Sequence, residues 1–83
     1  MRVERVSAKV KETGQRLSGF VEYHSLIETR QNDDGEQINR LRTIRKIVTT
    51  NDILLPDGVF IVELSGLKGR WYLGDTNRCL IEV

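Results

Sequence analysis

The 83-residue chain has one cysteine, one proline, one histidine and one tryptophan, and each scarcity removes a class of explanation. Cys79 has no second cysteine to pair with, so the chain is not a disulfide-stapled scaffold and reads as a protein of the reducing cytoplasm. One histidine and one cysteine far apart in sequence do not make a metal ligand set. No apolar run approaches the roughly 20 residues with which a helix spans a bilayer. The opening Met1-Arg2-Val3-Glu4-Arg5 is charged and alternating, with no secretory signal. Neither a Gly-x-Ser-x-Gly elbow nor a phosphate-cradling glycine loop ahead of a helix occurs. The expectation is a protein that is not an enzyme, with no catalytic residues, metal or cofactor and no membrane partner.

What is present suits one small β-rich domain over residues 1–83 with a modest core. Apolar residues make up 39% and charged residues 30% of the chain, enough of the first to fold and of the second to stay soluble. The net charge of +1 argues against a protein built to coat duplex DNA. Turn formers punctuate the chain at Glu12–Gln15, Asn32–Gly35, Leu55–Gly58, Ser65–Gly69 and Asp75–Asn77. Between them lie Val3–Lys11, Arg16–Arg30, Gln37–Thr50, Val59–Leu64, Arg70–Gly74 and Arg78–Val83, most of them strand-length. In the first, Val6, Ala8 and Val10 alternate with Arg5, Ser7 and Lys9, as in a half-buried strand. The predicted fold is all-β: about six strands in a small, partly open barrel of SH3-like or OB-like type, with a long protruding hairpin.

Gln37–Thr50 also fits a helix, because Ile38, Leu41, Ile44, Ile47 and Val48 fall within half a helical wheel. That would make the fold α+β. The β-branched pairs Thr43-Ile44 and Ile47-Val48 favour a strand, and pairing with Arg16–Arg30 supports it. A four-residue loop, Asn32–Gly35, sets Gln31 against Glu36, Leu26 against Leu41, Tyr23 against Ile44, Phe20 against Ile47 and Glu22 against Arg45. The core predicted from these patterns is Phe20, Leu26, Leu41, Ile47, Phe60, Val62, Trp71, Leu73 and Ile81.

The one concentration of chemistry is the second arm of this hairpin, which holds Arg40, Arg42, Arg45 and Lys46 and no acid. Alternation places Arg40, Arg42 and Lys46 on one face, with Tyr23, Ser25 and Thr29 across from them. Guanidinium forks there would grip carboxylates or phosphates, and Tyr23 would add an aromatic surface. A plain solvated face would use the same long cations to protect an edge from pairing. Leu67, Lys68 and Arg70, flanked by glycines and leading into Trp71-Tyr72, form a second candidate binding surface. Trp71 itself reads as core, as does Cys79. His24 beside Glu22, and Asp33, Asp34 and Glu36 at the hairpin tip, read as ordinary surface groups. The expected function is therefore an accessory or regulatory protein that docks on a larger protein through the basic hairpin face. The competing readings are a small nucleic-acid-binding barrel using the same bases on phosphates, and a structural subunit of a homodimer or larger homo-oligomer. Small regulators of this kind are frequent in phage and mobile elements, a general prior that no residue here carries.

Overall fold

In the computed structural model, which describes residues 3–83, every element is a strand. They are β1 (Glu4–Lys9), β2 (Arg16–Gln31), β3 (Gln37–Thr49), β4 (Ile61–Glu63), β5 (Arg70–Leu73) and β6 (Cys79–Glu82). The sheet order is β1-β2-β3-β6-β5-β4, with every neighbouring pair antiparallel. The sheet curls until β1 and β4 meet at one bridge, Val10 with Leu64. There the Lys11 amide donates to the Glu63 carbonyl and the Ser65 amide to that of Lys9, each at 2.9 Å. The result is a partly open barrel, as predicted, with a long hairpin leaving it. Gln37–Thr49 is strand, so the α+β alternative does not hold. No helix among the described residues is long and apolar enough to cross a membrane.

Alternation fills the barrel. Val6, Ala8 and Val10 point inward from β1, opposite Leu17 and Gly19 of β2, while Arg5, Ser7 and Lys9 point out. Ile47, Val62, Leu64, Trp71 and Leu80 complete the interior, and Trp71 is 0% exposed. The β3–β4 connection crosses one end of the barrel and inserts Ile53. The Gln15 side chain pins this crossing, donating to the Asp52 carbonyl and accepting from the Leu54 amide, both at 2.8 Å. Pro56 and Gly58 then turn the chain back toward β4, with Gly58 at φ 85°. At Gly19, β2 lies so close to β3 that a Cβ would collide with the Val48 carbonyl oxygen and sit 2.8 Å from the Thr49 Cα. A bare backbone at this corner lets the sheet bend into a barrel.

Two expectations need correction. The hairpin register is displaced by one residue: Gln31 pairs with Gln37, Leu26 with Arg42, Tyr23 with Arg45, Phe20 with Val48 and Glu22 with Lys46. The reason is the turn. Asn32 still pairs with Glu36 (amide to carbonyl, 2.9 Å), which leaves a three-residue loop, Asp33–Gly35, closed by Gly35 at φ 81°. The Asn32 carboxamide oxygen accepts from the Asp34 and Glu36 amides at 3.1 and 2.8 Å and fixes that geometry. The predicted core is also only partly right. Ile47, Val62 and Trp71 are buried and Leu73 and Ile81 half-buried, but Phe20, Leu26, Leu41 and Phe60 are exposed. Phe20 faces outward because its neighbours Leu17 and Gly19 set the inward parity. Leu26 and Leu41 lie beyond the barrel, and Phe60 lies on the crossing segment, 80% exposed.

Candidate functional site

Beyond Tyr23 and Arg45 the β2–β3 hairpin is a two-stranded arm with no third strand beside it and nearly every residue exposed. Even-numbered residues of both strands share one face and odd-numbered residues the other. The two faces differ chemically. The even face carries Arg30, Arg40, Arg42 and Lys46 together with Glu22, His24 and Glu28. Beyond Tyr23 and Arg45 at its base, the odd face pairs Ser25 with Thr43, Ile27 with Leu41, Thr29 with Asn39 and Gln31 with Gln37, none of them ionisable.

On the even face, Glu28 is the hub. Arg30 donates to its Oε1 through Nη2 at 3.0 Å and Nε at 3.3 Å, and Arg40 stands opposite it across the strands. The Arg30 hydrogen bond, then its charge, hold the Glu28 carboxyl below the usual carboxylate range, with Arg42 and Arg40 adding to the effect. Three guanidinium groups around one carboxylate leave this part of the arm net positive. Among the described residues neither Arg40 nor Arg42 closes an ion pair. Lys46 lies opposite Glu22, whose Oε2 is 3.7 Å from His24 Nε2.

The structure thus keeps Arg40, Arg42 and Lys46 on one face, as predicted, but removes Tyr23 from them. Tyr23 lies on the odd face at the base of the arm, where its hydroxyl donates to Glu4 Oε2 at 2.7 Å. That bond to a carboxylate raises the phenol above its ordinary value. Beside it, Arg45 donates to Glu82 through Nε at 2.8 Å and Nη2 at 3.2 Å, and Nη2 also reaches the Lys68 carbonyl at 2.8 Å. The same guanidinium lies 4.9 Å from the centre of the Trp71 ring. These hydrogen bonds lower the Glu82 carboxyl and raise Arg45. Glu4, Tyr23, Arg45, Glu82 and Trp71 therefore form a polar stopper in the mouth of the barrel where the arm leaves it.

The second surface proposed from sequence is dispersed. Leu67 is half-buried against the core, so the glycine-flanked loop does not present it. Lys68 contributes its carbonyl to Arg45, and Arg70 is exposed opposite Glu63. Cys79 is buried, as expected, and burial pushes its thiol up.

Comparison with protein-family models, curated proteins and solved structures finds no match.

The arm's own geometry therefore carries the functional reading. Sequence reasoning missed Arg30 as a member of the basic face and the neutral odd face altogether. The signal for both was Gly35 three residues after Asn32, which marks a three-residue turn and the correct register.

Proposed function

We propose that this is a non-enzymatic accessory protein of the cytoplasm that docks on a larger protein through its β2–β3 arm. The basic face, Arg30, Arg40 and Arg42, meets acidic groups of that partner, with Lys46 at its rim. The observation that carries this reading is the arm itself: two strands held clear of the barrel, with three guanidiniums around a single carboxylate. Radius of gyration underlines the projection, at 15.3 Å against about 12 Å for a compact chain of this length.

The nucleic-acid reading draws less support from the same residues. Glu22 and Glu28 interrupt the cations, and phosphate tracking favours an unbroken basic groove. Tyr23 is on the other face and bonded to Glu4, and Trp71 is buried, so neither offers a base a stacking surface beside the arginines. Affinity capture from the native host lysate tests the proposal, comparing wild type with Arg40→Glu/Arg42→Glu, with and without nuclease. The expected result is a protein retained by wild type despite nuclease and lost from the variant, both baits being folded by circular dichroism. Recovery of nucleic acid alone, released by moderate salt, would transfer the function to polyanion binding.

A further inference from the structure

The two strands of the arm have free edges as well as free faces. Even-numbered residues of β2 and β3 turn their backbone groups toward each other: the ladder ends with the Thr50 amide on the Ser18 carbonyl and the Asn32 amide on that of Glu36, both at 2.9 Å. Odd-numbered residues of β3 turn theirs the other way, toward β6. The Thr49 amide accordingly donates to the Arg78 carbonyl at 2.8 Å. β6 pairs with β3 only at Lys46, Ile47 and Val48. Thr43, Leu41 and Asn39 therefore direct amides and carbonyls to an edge with no strand beside it among the described residues.

Arg45 shows the chemistry that satisfies this edge. It is the first odd-numbered residue past the last β3–β6 pair, and Glu82 Oε2 accepts from its amide at 3.2 Å and from its Nε at 2.8 Å. One carboxylate takes a backbone donor and a cation together. Further along, open amides and cations alternate, with Arg42 and Arg40 interleaved between Thr43, Leu41 and Asn39, and neither arginine in an ion pair among the described residues. A shallow recess of about 470 Å³ touches all four residues Arg40–Thr43.

Charge selects the occupant. A second copy pairing antiparallel through the same edge, centred on Leu41, would set Arg40 of each copy against Arg42 of the other. Like charges placed directly opposite destabilise a strand pair, so the arginines bar self-pairing here. The β2 edge carries Glu22 and Glu28, which repel an acidic strand. On the β3 edge the same strand meets uncompensated cations.

We infer that the partner docks by adding a strand to the free edge of β3 over Asn39–Thr43, in line with β6, and that this strand alternates acidic and apolar residues. Its acids fall beside Arg40 and Arg42 on the even face, and the apolar residue between them falls beside Leu41 on the odd face. This rests on the docking reading and adds to it the mode of attachment and the pattern that the partner brings.

Amide exchange of the full chain, followed by NMR, tests it with a synthetic peptide of alternating glutamate and valine. An isomer with the glutamates and valines in separate blocks serves as control. The alternating peptide should slow exchange of the Asn39, Leu41 and Thr43 amides at least about tenfold, leaving those of Ser25, Ile27 and Thr29 unchanged. Arg40→Glu/Arg42→Glu should abolish the protection. So should Thr43→Pro, which removes an edge donor and spares the ladder to β2. Ser25→Pro, the matching change on the opposite edge, should not. Slow exchange of the even-numbered β3 amides confirms an intact arm in each variant. No protection at millimolar peptide, equal protection of both edges, or an equal effect of the block isomer overturns the inference. Capture from lysate separates it from the docking reading. A partner lost with Arg40→Glu/Arg42→Glu but kept with Thr43→Pro sits on the basic face alone, so that docking stands and the added strand fails.

Discussion

Arg45 looks in sequence like one of four cations on a strand, yet its surroundings set it apart from the other three. Its guanidinium is held by Glu82, the Lys68 carbonyl and the Trp71 ring, whereas Arg40 and Arg42 project into solvent. Alternation in Gln37–Thr50 sets Arg45 on the opposite face but gives no sign of its partner, because Glu82 lies in β6, more than 30 residues away. Glu82 has its carboxyl lowered by this contact, so its contribution is complete above the unfolded-state value and disappears as pH falls through the folded-state value. At neutral pH, Glu82→Gln should lower stability by about 1–2 kcal/mol, the pair being partly exposed. In strongly acidic solution its melting curve should converge with that of wild type. A gap that persists at low pH would show that the effect is not electrostatic. Gly19 makes the complementary point: its position gave no warning, yet Gly19→Ala would drive a Cβ into the Val48 carbonyl. The expected cost is about 3 kcal/mol, read as a fall in Tm of more than about 10 °C. Trp71 was legible at this scale, being the largest side chain available to a small core.

The elements themselves were readable. Breakers such as Pro56-Asp57-Gly58 and Ser65–Gly69 bound the strands to within a residue or two, because turn chemistry is local. Register was not readable from apolar pairing alone. Matching Leu26 with Leu41 was attractive, but three loop residues in place of four shift every partner and move Tyr23 to the other face. Nor did hydrophobicity reveal where the barrel stops and the arm begins, since Ile27, Ile38 and Leu41 of the arm are as apolar as Ile47 and Val62 of the core. The buried residues all lie outside the arm, which makes the arm separable. Replacing Ser25–Thr43 with Asn-Gly, between the paired His24 and Ile44, should preserve the barrel with Tm within a few degrees of wild type, measured by circular dichroism. The same variant should lose partner capture. Collapse of the barrel would mean that the arm is structural.

At the scale of the whole molecule the all-β barrel was foreseeable from segment length and alternation, but the strand order was not. The sheet consists of two three-stranded meanders, β1-β2-β3 and β4-β5-β6, joined by β3 with β6 and by the Val10–Leu64 bridge. Neither joint leaves a local sequence signature, because each brings together residues distant in the chain. This order has a consequence in time. β6 is made after every other strand, yet it occupies the middle of the sheet between β3 and β5. While the chain is being synthesised, the β2–β3 hairpin has all its own residues well before Leu80 and Glu82 emerge to complete the core and the stopper below it. The arm can therefore pair through contacts local in sequence before the barrel's core closes, which has to wait for the pairing of β3 with β6.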